Sequence, residues 1–445
     1  MKLAAPEGAK LIISRLRGAG FEAYAVGGCV RDALLGKAPE DWDITTSALP
    51  GKVEALFSDL STVPTGIKHG TVTVIAGDGS YEVTTYRVDG EYSDHRRPES
   101  VSFTANLDED LARRDFTVTA MAWNPFSGEI IDPLGGGNDL AAGIIRCVGE
   151  PEKRFSEDAL RILRALRFAS VLDFKIDGAT ASAVHKMAGD LDKIAGERIR
   201  VELLKLVTGA GAERVLLEYP DVISVIIPEL KPAIGFEQRS KFHKYDVYGH
   251  SVRALGSYKG GDGVTAMAIL LHDVGKPSTF FADEYGTGHF YGHAAAGEEL
   301  ARAALARLRF TSGEIKDIAE LVKRHDLYIL HTKKNVRRWL SRLGSRQFER
   351  LLDVKRADAS ALSELSLERP WSDADGIEAI LREVQSEGEC PSLRSLAVSG
   401  DDIMALGVPR GKKVGEILSA LLDAVLDEEC ENEKAALIEK AKEMI

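Results

Sequence analysis

The sequence predicts an α/β domain at its N-terminal end, followed by a mostly α-helical remainder. Up to about residue 150, short apolar and β-branched runs such as Gly70–Ile75 and Tyr81–Val88 alternate with glycine-rich turns. After Glu157, leucines recur at helical spacing and few strand signals remain. The length of 445 residues is about three times that of a common domain of ~150, so three or four compact units are expected.

The individual elements follow from local patterns. Tyr24–Val26 is typical of a strand and Val30–Leu35 of a helix, with a glycine turn between them. Ala266–Leu271 is continuously apolar and predicts a buried helix, whereas Phe280–Tyr291 predicts a β-hairpin. Two further helices are predicted from leucine-rich rows at helical spacing, Leu160, Leu163, Leu166 and Ile199, Leu203, Leu206.

Composition indicates a soluble protein without a membrane partner. No stretch approaches the ~20 apolar residues that span a bilayer. Met1–Arg17 lacks the apolar region of a signal peptide, so a cytoplasmic location is expected. The cysteines show no C-x-x-C spacing, which fits a reducing compartment and argues against a thiolate zinc site. They are Cys29, Cys147, Cys390 and Cys430.

The charge is segregated along the chain. The net charge of −12, from 57 basic and 69 acidic residues, taken alone argues against a polyanionic partner. However, residues 333–356 carry nine Lys/Arg against two acids, a balance of +7, whereas residues 401–445 carry eleven acids against six bases, a balance of −5. Each block is either a solvated helix face or a local binding surface.

A glycine loop and two carboxylates form the first chemical motif. Gly27-Gly28 follows the first strand and allows backbone amides to approach phosphate oxygens, while Arg31 offers a bidentate contact. Asp41 and Asp43 lie two residues apart, and on a strand both side chains share one face at about 6.5 to 7 Å. Such a pair can hold Mg²⁺ for an in-line phosphoryl displacement.

In this order, these motifs resemble the opening of the class II tRNA nucleotidyltransferases and bacterial poly(A) polymerases. Further motifs match the same family, which belongs to the polymerase-β-like superfamily, along essentially the whole chain. They are Arg113–Thr117 (ribose reading), Asp132–Gly136 with Asp139-Leu140 (hinge), Glu157–Arg161 (base template) and Glu197–Ile199 with Glu202 (helix stabilisation). The resemblance implies an α/β polymerase-β-like nucleotidyltransferase head, followed by mostly α-helical neck, HD and tail domains.

The template motif also has a physical rationale. On a helix, Asp158 and Arg161 are i,i+3 neighbours that can present acceptors and donors to a base edge in one cleft. The resemblance implies that these two pair with cytosine or adenine. It also implies that the triphosphate or ribose is bound by Arg114, Arg164 and Arg167, together with Gly28 and Arg31 of the glycine loop.

Several specificities remain open within this family. Thr65–Val74 resembles the corresponding segment of CCA-adding enzymes, and Asp89–Ser102 resembles the flexible loop that they use to switch from C to A addition. A-adding enzymes, CC-adding enzymes and poly(A) polymerases stay as alternatives. Glu82 is either a third catalytic carboxylate or a structural strand acid.

Histidines and aspartates in the second half predict a second site. His272-Asp273 ends the apolar run, where burial of both is costly unless they are paired or metal-bound. The set resembles the HD phosphohydrolases, with His250, His272, Asp273 and Asp358 as the minimal ligands and His293 and His325 as second-metal positions. A divalent transition metal suits such donors and would activate water. His289 and His331 stay unassigned.

The resulting expectation is an enzyme that adds CCA to tRNA from CTP and ATP with Mg²⁺ on Asp41 and Asp43 as catalytic residues. The predicted domains are the head (1–150), the neck for base and RNA binding (151–232), the HD domain (233–365) and a tRNA-binding tail (366–445). The alternative from another class is an RNA-binding HD phosphohydrolase with an inactive head. RNA affinity is expected to depend on the neck arginines and the basic block at 333–356.

Overall fold

The structure, a computed structural model, describes residues 4–90, 101–363, 374–386 and 392–445. It divides into two compact units, Met1–Pro228 and Glu229–Ile445, which are treated separately below. The division lies four residues from the predicted start of the HD domain, while the finer four-domain division stays a prediction. Cys390 and most of the predicted switch loop lie outside the described residues.

The first unit is built on a mixed β-sheet. The described strands of this unit are β1 (Ala23–Val26), β2 (Asp43–Thr46), β3 (Ser61–Gly66), β4 (Thr71–Ala76), β5 (Gly79–Thr85), β6 (Arg87–Asp89), β7 (Val101–Phe103), β8 (Ala122–Trp123), β9 (Ile130–Ile131), β10 (Ile144–Ile145) and β11 (Lys175–Ile176). Seven of them form the sheet, in the order β3-β4-β5-β2-β1-β8-β9. Within it, β2 and β5 run parallel and the other neighbours are antiparallel. A separate pair, β6 and β7, lies at the two ends of the predicted switch loop.

Helices cover the sheet and form the rest of the first unit. Their bounds are Glu7–Gly18, Gly28–Leu34, Pro50–Leu56, Leu107–Ala112, Gly136–Ala142, Pro151–Glu157, Leu160–Leu172, Gly178–Met187, Gly196–Val207, Ala212–Glu218 and Pro220–Ile226, with 3₁₀ turns at Ile67–His69, Thr117–Thr119 and Ala188–Lys193. The two leucine-rich rows are buried on Leu160–Leu172 and Gly196–Val207, which pack against each other. The predicted strands and helices of this unit are therefore confirmed to within a few residues, as is the α/β-then-helical fold class.

The second unit is mostly helical. Its described helices are Val247–Ser257, Gly263–Leu271, Lys276–Thr279, His293–Arg307, Ser312–Arg324, Lys333–Leu343, Ser345–Ser360, Ala374–Ser386, Gly400–Ala405, Lys412–Leu426 and Lys434–Lys442, preceded by a 3₁₀ turn at Pro228–Ala233. The predicted apolar helix is confirmed, because every residue from Ala266 to Leu271 is 0 % exposed. The predicted hairpin is also confirmed, since β12 (Phe281–Ala282) pairs with β13 (Gly288–His289).

The basic block at 333–356 is not the open cationic surface that its sequence suggests. Asp427 accepts ion pairs from Lys334 at 2.8 Å and from Arg338 at 2.7 Å. Arg350 is paired with Asp262 at 2.9 Å, and further pairs join Lys333 to Glu383, Arg337 to Glu428 and Arg356 to Glu378. Acidic residues of the same unit thus offset much of the +7 charge, and the contribution of this block to RNA affinity stays a prediction.

Across the described ranges, no helix combines the length and apolar character needed to cross a membrane.

Candidate active sites

The glycine turn of the first unit allows a close approach of charged side chains. Gly27 has a φ of +81°, in the left-handed region that favours glycine. A Cβ atom there would lie 3.1 Å from Arg114 Nη1 and 4.0 Å from Asp43 Oδ2. A larger residue would therefore crowd the Arg114 guanidinium at the turn between β1 and the following helix, whereas the Asp43 carboxylate lies at ordinary contact distance.

Asp41 and Asp43 both line one cavity of about 760 Å³. The predicted geometry was partly wrong, because β2 begins at Asp43 and Asp41 precedes the strand. In the sheet, Asp43 stands opposite Val26 of β1 and Glu82 of β5, so Glu82 lies beside the pair as a third carboxylate.

Electrostatics around Asp43 favour a bound cation. Desolvation raises the pKa of the Asp43 carboxyl, and the carboxylates of Glu82 and Asp41 raise it further. The Arg114 guanidinium acts in the opposite direction. Two or three carboxylates that repel one another are a donor set of hard oxygens, and these residues therefore fit Mg²⁺.

The same cavity brings together most of the predicted nucleotide-binding residues. Its lining includes Gly28, Arg31, Arg114, Arg164 and Arg167. Each of these arginines contacts a carboxylate. Arg31 donates two hydrogen bonds to Asp32 at 2.8 Å, and Arg114 lies 3.5 Å from Asp110. Arg164 donates to Asp115 at 2.7 Å, and Arg167 donates to Glu202 at 2.8 Å. The arginines are thus held in place at the wall of the cavity.

Asp115 is the buried anchor of this wall. It accepts from Arg164 on one oxygen and from Thr119 Oγ1 at 2.9 Å and its neighbour Phe116 N at 3.0 Å on the other. Burial raises the pKa of the Asp115 carboxyl, but the guanidinium groups of Arg164 and Arg161 outweigh it and lower the pKa well below its ordinary value.

The template pair is placed differently from the prediction. The chain leaves helical geometry at Asp158, between helices Pro151–Glu157 and Leu160–Leu172, so the i,i+3 argument does not apply. Asp158 accepts from Arg198 at 2.7 Å, whereas Arg161 donates to Glu157 at 2.7 Å. Neither belongs to the cavity lining in the described chain, and their base-pairing role stays a prediction.

In the second unit, all six predicted metal ligands converge. They come from helix Val247–Ser257 (His250), the end of Gly263–Leu271 (His272, Asp273), the start of His293–Arg307 (His293), the end of Ser312–Arg324 (His325) and helix Ser345–Ser360 (Asp358). Asp273 is central, with its carboxylate 3.2 Å from His272 Nε2, 3.5 Å from His293 Nε2 and 3.6 Å from His325 Nε2. His250 Nε2 lies 2.9 Å from Asp358.

Hydrogen bonds orient three of these rings for metal binding. The Nδ1 atoms of His272, His293 and His325 are bonded to the backbone carbonyls three residues earlier, at 2.7 to 2.9 Å. Each Nε2 atom is thereby directed into the cluster, as is usual for metal-ligating histidines.

The donor atoms fit one or two divalent ions. Those of His250, His272 and Asp273 lie within 4.8 Å of one another, as do those of Asp273, His293 and His325. His272 Nε2 is buried without a hydrogen-bond partner, as expected for an atom that ligates a metal. Asp273 belongs to both groups, so its carboxylate would be a ligand in either, and the mixed imidazole and carboxylate donors suit a divalent transition metal.

Residues that the sequence reasoning missed complete this second cavity, of about 430 Å³. Lys276 Nζ is buried 2.6 Å from Asp273 and donates to Gln238 at 2.8 Å. His243 lies 3.4 Å from the same ammonium, and burial and that charge lower its pKa to about 3. Lys276 lies three residues after Asp273 in the chain, and this spacing could have indicated that the two side chains meet. His243 is far from both residues in the sequence, and no pattern there links it to them. The unassigned His289 also lines this cavity.

Three family models match successive segments of the chain. The poly A polymerase head domain model matches residues 23–146, and the model described as "Probable RNA and SrmB-binding site of polymerase A" matches 173–234. A tRNA nucleotidyltransferase domain 2 model matches 293–441. The crystal structure of the Bacillus stearothermophilus CCA-adding enzyme in complex with CTP is 31 % identical, covers 99 % of this chain and 98 % of that chain, and gives a TM-score of 0.73.

The chain belongs to the CCA-adding enzyme family. Among curated CCA-adding enzymes, that of Leuconostoc mesenteroides is 50 % identical over 208 residues, which are 47 % of this chain and 51 % of the relative. That of Ligilactobacillus salivarius is 50 % identical over 210 residues, 47 % of this chain and 51 % of the relative. The chain thus matches about half the length of these curated CCA-adding enzymes.

Proposed function

We propose that this protein adds CMP and AMP from CTP and ATP to the 3′ end of tRNA, to complete the CCA sequence, and releases pyrophosphate. The observation that carries the proposal is the cavity lined by the carboxylates of Asp41 and Asp43 together with four arginines, Arg31, Arg114, Arg164 and Arg167. A relative of known structure that matches along 99 % of this chain is a CCA-adding enzyme in complex with CTP. A cytoplasmic location is part of the proposal and is supported by the free thiols of Cys29, Cys147 and Cys430.

In this mechanism the first unit's own residues bind and align the reactants. Asp41 and Asp43 would hold Mg²⁺, which activates the attacking 3′-hydroxyl and offsets charge on the leaving group. Arg114, Arg164 and Arg167 bind the triphosphate through paired N–H donors, because guanidinium groups match phosphate oxygens. Asp158 and Arg161 read the base, and the bond from Arg161 to Glu157 holds the guanidinium in position for this role.

The first test replaces Asp41 by Asn, which removes one charge without changing the size of the side chain. We expect nucleotide incorporation into tRNA to fall at least ~1,000-fold, since a metal ligand at the reacting phosphate is lost. Filter retention should show tRNA binding within about twofold of wild type. Asp59→Asn is the matched control, because Asp59 forms only an exposed pair with Arg15. Retained incorporation by the Asp41 variant contradicts the proposed mechanism.

A second proposed activity is phosphoester hydrolysis in the second unit. The convergence of six histidine and aspartate ligands around a cavity supports it, with the tautomers of His272, His293 and His325 set for metal binding. The bound metal would supply an activated water, while Lys276 holds the Asp273 carboxylate in place at 2.6 Å. Phosphoester hydrolysis is thus proposed as a second activity of the protein, in addition to nucleotidyl transfer.

The corresponding test is Asp273→Ala, with Asp375→Asn as a control on the exposed surface of the same unit. Elemental analysis should show that the Asp273 variant loses the transition metal that the wild type and the control retain. Hydrolysis of a 2′,3′-cyclic nucleotide should be lost in parallel, and unchanged hydrolysis contradicts the proposal. The rival of another class, an HD phosphohydrolase with an inactive head, predicts hydrolysis without any nucleotide incorporation by the wild type.

A further inference from the structure

One aromatic residue stands among the arginines of the nucleotidyl-transfer cavity. Phe168 lies on helix Leu160–Leu172, lines the cavity and is 4 % exposed. Three guanidinium carbons stand over its ring, at 5.3 Å for Arg31, 5.4 Å for Arg164 and 3.5 Å for Arg167. The ring therefore contacts cations from two separate sequence motifs, the glycine loop and the helix after the template motif.

These contacts differ in kind from the carboxylate pairs of the same arginines. A cation over a ring is attracted by the negative face of the π system, and the N–H donors in the guanidinium plane stay available. The bonds of Arg31 to Asp32, Arg164 to Asp115 and Arg167 to Glu202 use those same N–H donors. Phosphate oxygens must compete with the carboxylates but not with the ring.

The orientation of the ring is fixed from outside the cluster. Phe116 packs against Phe168 edge-on, with centroids 5.5 Å apart and an interplanar angle of 75°. Phe116 is itself 0 % exposed, which leaves the aromatic pair little freedom to turn. Three guanidinium groups gathered around one site repel one another, and the face of a fixed ring offsets part of that repulsion.

We propose that Phe168 is the positioning residue that gathers Arg31, Arg164 and Arg167 into one triphosphate-binding cluster. The proposal rests on the nucleotidyl-transfer function, because it assumes that this cavity binds a nucleoside triphosphate. Phe168 does not touch the reacting atoms; it acts through the arginines. Its effect is on the phosphates, so it is the same for CTP and ATP.

The test compares Phe168→Leu and Phe168→Met with Phe168→Tyr, which keeps the ring. The two aliphatic variants should raise the KM for CTP and for ATP by a similar factor, on the order of tenfold, with kcat changed less than about threefold. Phe168→Tyr should restore both KM values to within about twofold of wild type. Phe155→Leu, in the neighbouring helix Pro151–Glu157, is a control for loss of a buried aromatic and should leave KM unchanged.

A binding measurement separates this inference from the proposed function. Inorganic tripolyphosphate is titrated calorimetrically into the full-length wild type and each variant, independently of catalysis. The aliphatic variants should bind it about tenfold more weakly than wild type and Phe168→Tyr. Equal binding by all variants, or no binding by wild type, overturns the inference. Absence of nucleotide incorporation by a wild type that binds tripolyphosphate with this pattern overturns only the proposed function.

Discussion

Replacing Asp115 by Asn removes the buried charge that holds Arg164 at the wall of the first cavity. The Asp115 side chain is 11 % exposed and that of Arg164 is 32 % exposed. Removal of one partner from a buried ion pair costs about 3 to 5 kcal/mol. The amide oxygen of the substituted side chain would still accept from Phe116 N and Thr119, and Arg164 keeps Glu202 at 3.5 Å. We therefore expect a smaller loss, about 2 kcal/mol, or roughly 30-fold in the opening equilibrium.

Hydrogen exchange of peptides from helix Leu160–Leu172 measures this loss in the full-length protein, since local opening sets the exchange rate. At pH 7 the Asp115→Asn variant should exchange about 30-fold faster than wild type. Asp59→Asn, which alters only an exposed pair, should exchange at the wild-type rate.

The pH dependence follows from the lowered pKa of Asp115. A depressed carboxyl pKa stabilises the folded state above the unfolded pKa of about 3.9, and the stabilisation is lost as the pH falls toward the folded value. The ratio of variant to wild-type exchange should therefore be the same at pH 7 and pH 5 and should shrink only below about pH 4. A variant-to-wild-type exchange ratio near one at pH 7 contradicts the stabilising role of the Asp115 charge. A ratio that is already much smaller at pH 5 than at pH 7 contradicts the lowered pKa of Asp115.

Two further predictions concern charges that the structure pairs internally. Asp427→Asn releases Lys334 and leaves Arg338 only its longer pair with Asp423 at 3.9 Å. The tRNA affinity at low salt should therefore rise roughly threefold, and the slope of log K against log salt should steepen by about one; an unchanged slope contradicts this. Glu157→Gln weakens the ion pair that holds Arg161. Discrimination of CTP against UTP, measured as the ratio of their kcat/KM values, should therefore fall roughly threefold. Unaltered selectivity would show that this ion pair does not position Arg161.

Periodicity and motif order were sufficient to predict most of the fold. The alternation of apolar and polar residues in Tyr81–Val88 predicts a strand, and the leucine rows predict helices. Each pattern places apolar side chains on one face of the element, and that face must be buried. The helix break at Asp158 was missed, although Asp158 accepts from the backbone N–H of Leu160 at 3.1 Å in a local cap, a common role for aspartate at a helix start. Its ion pair with Arg198, forty residues later, has no signal in the local sequence. Asp158 is thus held by a long-range pair with Arg198, whereas Arg161 is held by a local i,i+4 pair with Glu157.

Net charge illustrates the same limit of local reasoning. The block at 333–356 has a balance of +7 in the sequence, but Asp427 and Glu428 lie some ninety residues away in the chain and pair with it. In contrast, the grouping of His250, His272, Asp273 and Asp358 was expected from the resemblance to HD phosphohydrolases. The adjacent His272-Asp273 at the end of an apolar run was the signal from the residues themselves, since such a buried pair needs a partner or a metal. Lys276, three residues after Asp273, was within reach of sequence reasoning, whereas only the fold places His243 beside Lys276.

The most direct test of the central claim offers CTP and ATP separately, and then together, to the wild-type protein with Mg²⁺ and a tRNA that lacks its 3′ CCA. We predict incorporation of C from CTP alone, and completion of CCA when both nucleotides are present. Incorporation of A but never of C would identify an A-adding enzyme or a poly(A) polymerase instead. No incorporation of either nucleotide would contradict the assignment of the first cavity to nucleotidyl transfer.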